Sequence, residues 1–256
     1  MTTTSLFLSS RFNGPPGVAN GGIACGSLAG AAGVAPGAAV EVRLRRPVPL
    51  DRRLDVRLDG DAFRLEDAGE VVARGHVTEA GPDLSVPDVV TADEAVAATR
   101  RHTNAVFPAC FVCGSGRPDG DGLRIFPGRV ADRRVWAAPW TPDRSVVGAD
   151  GRVAPEFVWA ALDCPAGFAA VEDALERDAL PGGSAAVLGR MSVRLAGLPE
   201  IAVEHRIVAW PIAVDGRRLT AGSALLSPNG DVLAAAGTTW VALTASAPQL
   251  DAGRVR

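Results

Sequence analysis

Val42-Arg43-Leu44, followed by a proline-containing turn and Leu54-Asp55-Val56, returns later in the chain as Val193-Arg194-Leu195, a turn, and Arg206-Ile207-Val208. Gly69-Glu70-Val71-Val72-Ala73 returns as Gly230-Asp231-Val232-Leu233-Ala234. Each set of strand-like segments follows a segment of small residues with helical character, Ala19 to Ala32 in one half and Ala154 to Ala170 in the other. The chain thus carries one unit twice. Helices grouped with runs of strands, rather than alternating βαβ, predict an α+β fold in which a curved antiparallel meander wraps a small-faced helix.

The boundaries follow from the breakers. Residues 5–12 make a candidate short strand, and Asn20 is a good N-cap for the first helix. Gly21, Gly22, Gly26 and Gly30 each lower helix propensity by about 1 kcal/mol relative to alanine, so tertiary packing must hold that helix. Strands are predicted at 38–46, 52–58, 61–67 and 70–78, punctuated by Pro47, Pro49, Gly60 and Gly69. Gly81 to Pro87 is a linker and Thr91 to Arg101 a short helix. The second half, from about residue 104, opens with strands at Leu123-Arg124-Ile125-Phe126 and Val135-Trp136-Ala137-Ala138. A loop at 141–152, the helix at 154–170 and a polar helical insert at 172–180 come next. Four strands follow near 185–196, 201–211, 217–227 and 231–243, and 245–256 is a loose tail. The expected division is 1–103 and 104–256.

Composition narrows the chemistry. The 256 residues are 47% hydrophobic, enough for a real core, and carry a net charge of −3. That charge offers no broad attraction to nucleic acid or anionic lipid. Apolar runs fall far short of the roughly 20 residues of a membrane span. The opening Met1-Thr2-Thr3-Thr4-Ser5 has no basic region before an apolar one, so the expectation is a cytoplasmic protein. Every basic side chain apart from histidine is arginine, and tyrosine is absent, which excludes a lysine Schiff base or a tyrosine acid. Four cysteines make no disulfide framework.

The layout resembles the hotdog-fold acyl-CoA thioesterases, in particular the phenylacetyl-CoA thioesterase-like group. The helix of that family reads roughly His-Gly-Gly, five variable residues, a small residue, then Asp. Ala154-Pro155-Glu156 through Ala161-Leu162-Asp163 matches its spacing and acid but not its glycines. Val18-Ala19-Asn20-Gly21-Gly22 matches the glycines but has Ala29 at the acid position. The segment Val42 to Leu50 is similar to the family's strand-turn-strand. Over nearly the whole chain the resemblance implies a double hotdog, two repeats of a long helix wrapped by an antiparallel meander, with an acyl-CoA or acyl-carrier-protein substrate and no cofactor.

Thioester hydrolysis needs positive potential where the carbonyl oxygen becomes an oxyanion, and a base or nucleophile near the carbonyl carbon. Free N–H groups at a helix N-terminus supply the first, and glycine there lets a substrate approach the backbone closely. Pro155 aligns with Gly21 and cannot donate. Asp163 lies eight residues beyond Pro155, about 12 Å along the axis, too far to serve its own helix start. It could serve that of an antiparallel neighbour packed at roughly 8–10 Å. The resemblance implies sites built between paired units. One competent site is therefore expected, with Gly21 and Gly22 as oxyanion donors, Asp163 as base or nucleophile, and Asn20 and Glu156 as substrate-binding candidates. The mirror pairing of Pro155 with Ala29 should be dead. The bland alternative makes Asp163 a partly exposed helix residue and the glycines mere packing positions; Pro165 either kinks the helix or ends it.

Other residues offer less. Cys110-x-x-Cys113-Gly114 is half of a tetrahedral zinc site. Its other half would have to come from Cys25, Cys164, His76, His102 or His205, none at ligand spacing, so the loop reads as a tight turn at a domain junction with no metal. Double-hotdog relatives are similar to this chain in carrying such a loop. Cys164 reads as a small buried hydrophobe. No Asp-to-His pairing follows either helix start, which argues against hydratase chemistry. Arg43, Arg45, Arg46 and Arg194 could meet CoA phosphates but fit solvated strand faces. Trp136, Trp140, Trp159 and Trp210 fit a core or pocket wall. GxGxxG before a helix, Walker, GxSxG and HExxH patterns are absent. The first functional expectation is a thioesterase, with dimerisation of the double unit. The rival is a non-catalytic hotdog protein that binds an acyl thioester or apolar ligand or serves as an assembly partner, favoured by the missing histidine before Gly21-Gly22 and the degenerate second helix.

Overall fold

The repeated segments meet in one sheet. The computed structural model describes residues 2–35, 37–82, 85–87, 90–103 and 106–243. Its strands are β1 (Thr2–Phe7), β2 (Ala39–Leu44), β3 (Arg53–Asp59), β4 (Ala62–Asp67), β5 (Glu70–Thr78), β6 (Gly128–Arg129), β7 (Trp136–Trp140), β8 (Ala186–Leu195), β9 (His205–Asp215), β10 (Arg218–Leu226) and β11 (Val232–Ala242). The helices are α1 (Gly21–Ala31), α2 (Ala92–Thr99) and α3 (Pro155–Glu176). Strand order is β1-β3-β4-β5-β2-β8-β11-β10-β9-β7-β6, every neighbour antiparallel.

That order is a palindrome of the sequence repeat. From the central pair outward come β2 and β8, β5 and β11, β4 and β10, β3 and β9, then β1 and β7, with β6 added at one edge. Register repeats with it: Leu44 faces Ala73 just as Leu195 faces Ala234. At the seam Val40 faces Val193 and Val42 faces Met191, centred on Glu41 opposite Ser192. Since Val42 corresponds to Val193, this pairing carries each copy onto the other by a local two-fold rotation.

α1 and α3 pack on one face of the sheet and against each other. α2 covers the opposite face. Alternation along β9 separates the two: Val208 and Trp210 pack with Ala95 and Ala98 of α2, whereas Ile207 belongs to the main core with Leu162 and Ala166 of α3. α2 is held by a capping box in which Thr91 and Glu94 bond each other's backbone N–H groups. None of the described helices is long and apolar enough to cross a membrane.

Several segments differ from the sequence expectation; β9 starts at His205, four residues later than expected, because residues 201–203 form a turn. Residues 123–126 are not a strand of the sheet. Leu123 and Ile125 donate their N–H groups to Phe111 and Val112 at 2.8 and 3.0 Å, and Arg124 between them takes φ +53, which breaks an extended run. The first strand ends at Phe7, and Ser10–Phe12 form one turn of 3-10 helix capped by Ser9. α3 neither ends at Pro165 nor stops at 170; it absorbs part of the expected separate insert and runs 22 residues. Burial of Ala166, Ala169, Ala170 and Ala174 outweighs the one backbone bond that proline removes, and the Ser223 hydroxyl of β10 donates to the Leu162 carbonyl beside it at 2.8 Å. The expected boundary at residue 104, Asp83 and Leu84 of the linker, and the tail at 245–256 lie outside the described residues.

Candidate active site

The start of α1 is built by its own sequence. Asn20 caps the helix, its Oδ1 accepting from the Ile23 N–H at 3.0 Å. A Cβ on Gly22 would lie 2.7 Å from the Ala160 Cα, the Trp159 carbonyl oxygen and the Asp163 Cβ. One on Gly26 would lie 2.8 Å from the Glu156 Cα and 2.9 Å from the Trp159 Cβ. Advancing along α1 thus means retreating along α3: the helices are antiparallel, and glycine is what lets their backbones come this close.

This approach delivers Asp163 to the other helix's first turn. Its Oδ2 accepts from the Gly22 N–H at 2.9 Å and from the Asn20 side-chain amide at 3.0 Å. The carboxyl is 1% exposed, and its Oδ1 is buried without a hydrogen-bond partner. Burial pushes its pKa up to about 7; the Gly22 N–H opposes that, the Cys110 sulfur adds to it, and the Asn20 amide opposes it. Burial drives that shift against both hydrogen bonds, and a buried carboxyl so shifted is a candidate functional position.

Of the residues singled out in the sequence, Asn20, Gly22 and Asp163 come together. Gly21 stands next to them as the first helical residue, so its N–H has no acceptor within the helix. The Leu188 side chain lies over it, 2.8 Å from where a Cβ would be. Glu156 is opposite Gly26, more than a turn from the carboxylate, and is not part of this cluster. Its helix begins at Pro155, and Ala154 before it makes no side-chain capping bond. Asp163 is not the partly exposed residue of the bland reading, but that reading holds in part for Gly22, which packing requires. The histidines lie elsewhere: His102 Nδ1 is 2.8 Å from the Pro127 carbonyl oxygen, His205 Nδ1 is 2.8 Å from that of Val203, and His76 is exposed on β5. Arg43 and Arg46 pair with Glu41 and Glu70.

The cysteine loop is closer to this centre than its reading as a junction turn suggested. It is a tight turn: the Gly114 N–H donates to the Cys110 carbonyl at 2.9 Å, with no room for a Cβ at Gly114. It is also fastened to the first half of the chain. The Phe111 N–H donates to the Asn13 carbonyl at 2.8 Å, and Arg117 reaches the Asn13 Oδ1 at 2.6 Å. The sulfurs of Cys110, Cys113 and Cys164 lie within 4.8 Å of one another. The Asn20 amide nitrogen is 3.9 Å from the Cys110 sulfur and 3.7 Å from that of Cys164. The sequence clue was Cys164 standing next to Asp163; no spacing rule linked it to a loop more than 50 residues earlier.

No protein-family model matches the chain, and no curated protein matches its sequence. Solved structures do match. A tesB protein from Mycobacterium avium subs paratuberculosis superposes with a TM-score of 0.59 at 12% identity, covering 94% of this chain and 93% of that one. A conserved protein of unknown function with a hot dog fold from Alicyclobacillus acidocaldarius gives 0.56 at 12% identity, covering 94% and 93%. This chain has the hotdog fold. A protein provisionally named thioesterase II from Thermobifida fusca gives 0.60 at 14% identity, covering 93% of each. At such identities the hotdog likeness is one of backbone, and the chemistry of this hotdog chain has to be argued from its own side chains.

Proposed function

We propose that the chain is a double hotdog, with units 1–103 and 104–256, that hydrolyses an acyl thioester of CoA or acyl carrier protein at one composite site. Asp163 is the base or nucleophile, and the Asn20-Gly21-Gly22 helix start is the oxyanion-stabilising end. The observation that carries this reading is the Asp163 carboxylate held against the Gly22 N–H of the opposite helix. The strand-order palindrome and the thioesterase II name of the Thermobifida fusca fold relative support it.

In the base form of the mechanism, the thioester carbonyl docks at the N-terminus of α1, where the Gly21 N–H and the helix dipole meet its oxygen. Asp163 takes a proton from a water as that water attacks the carbonyl carbon. The tetrahedral intermediate collapses, the C–S bond breaks, and the departing thiolate receives the proton from the Asp163 carboxyl. A carboxyl whose pKa stands at about 7 is suited to both transfers. The mirror pairing, Pro155 with Ala29, has neither donor nor base.

One observation favours a non-catalytic hotdog that binds an acyl thioester or other apolar ligand. The Gly22 N–H and the Asn20 amide are engaged by the carboxylate itself, and Leu188 covers Gly21. A panel of short-chain and aryl acyl-CoA substrates with a free-thiol readout separates the two. Thiol release that falls at least about 100-fold in Asp163→Asn supports the enzyme. Turnover unchanged by that substitution sinks the role of Asp163, and acyl-CoA binding without thiol release favours the binding protein.

A further inference from the structure

We propose that Cys110, Cys113 and Cys164 form a three-thiolate site for one zinc-class divalent cation, beside Asp163 but built from a separate set of side chains. The proposal goes beyond the thioesterase reading and does not depend on it.

The three sulfurs come from two rigid supports. Cys110 and Cys113 sit on a turn clamped on both sides: the Phe111 N–H bonds Asn13, while the Leu123 and Ile125 N–H groups bond Phe111 and Val112. Cys164 sits in the middle of α3. All three side chains are buried, and their sulfurs lie within 4.8 Å of one another. The Cys110 and Cys164 sulfurs are 3.7 Å apart. Zinc–sulfur bonds of about 2.3 Å in a tetrahedron require an S–S edge of about 3.8 Å, so this pair already has the spacing of two ligands of one ion.

The surroundings are those of an anionic sulfur. The backbone N–H groups of Val112 and Cys113 hydrogen-bond to the Cys110 sulfur. The Asn20 amide nitrogen lies near both the Cys110 and Cys164 sulfurs. Donors directed at a ligand sulfur are the outer shell that metal thiolates carry. Three buried thiols this close to one another cannot all lose their protons without a cation. A divalent ion would displace those protons and offset the charge. Three thiolates select a soft or borderline ion such as Zn²⁺ over Mg²⁺ or Ca²⁺. Three protein ligands leave the fourth position to a non-cysteine group. Cys25, although buried in the same core, is not in the cluster.

The test uses the full chain, purified without a metal-affinity tag. Elemental analysis should find about one zinc per chain. Protein stripped with chelator should bind Co²⁺ and show thiolate-to-cobalt charge-transfer absorption together with the d–d bands of a tetrahedral ion. Cys110→Ser, Cys113→Ser and Cys164→Ser should each remove about a third of the charge-transfer intensity and weaken Co²⁺ binding by roughly 100-fold or more. Cys25→Ala should change neither. If the serine variants do not fold, the cobalt titration of the unmodified chain still decides, because band intensity counts the thiolates. Folded protein that holds no zinc and gives no cobalt spectrum overturns the site, as does a Cys110–Cys164 disulfide found in protein prepared without reductant. None of these readouts involves thioester turnover, so loss of the site and loss of the enzymatic reading are separable.

Discussion

The starts of α1 and α3 occupy corresponding places in the repeat, yet they differ at nearly every position that matters chemically. α1 begins with a capping asparagine and two glycines; α3 begins with an uncapped alanine, a proline and a glutamate. The acid position is reversed: Ala29 in α1 corresponds to Asp163 in α3. The sheet has a two-fold register while the two helix starts differ: strand pairing depends on the backbone and the inward face, whereas a helix start depends on single N–H groups. The intact features fall across the helix pair, not within one helix. Gly22 faces Asp163, so the glycines and the acid meet at one end of the pair.

This asymmetry can be broken in four ways, in descending order of effect. Gly21→Pro copies the start of α3 onto α1 and should cut thioester hydrolysis on the order of 100-fold through loss of an N–H donor. Gly21→Ala is its control, since its Cβ meets Leu188 as the proline ring would but keeps the N–H, and most of the activity should remain. Equal losses in the two variants would assign the effect to Leu188. Asn20→Ala removes both the cap of α1 and a partner of the buried carboxylate, for a loss of about 2–3 kcal/mol in urea unfolding. Gly22→Ala inserts a methyl where Ala160, Trp159 and Asp163 leave no space, and should cost about 1–3 kcal/mol while displacing Asp163. The mirror position, Glu156→Ala, should stay within about 0.5 kcal/mol and leave turnover unchanged. A large effect there would mean that the second helix start is not idle.

Much of this was legible in the chain. Strand segments ending at Pro47, Gly60 and Gly69 predicted β2 to β5 within a residue or two, because turn residues and alternating burial are local properties. Asn20 as a cap was legible for the same reason. Leu123 to Phe126 misled, since an apolar alternating run looks like a strand until it is known what lies beside it; here it is the cysteine loop. Pro165 left the length of α3 open, because one missing backbone bond is weighed against burial that only the packed sheet provides.

Residue type and spacing alone establish the repeat, most of the strands and the placing of glycines on one helix and an acid on the other. That Asp163 is engaged by Gly22 and Asn20, that Glu156 stands apart, and that Cys164 joins Cys110 and Cys113 emerges only in the folded chain. Those are contacts between residues 50 to more than 140 positions apart. The Asp163 contacts depend on how closely the two helices can approach, which Gly22 and Gly26 permit, and the cysteine cluster depends on where the loop is fastened; no local pattern states either.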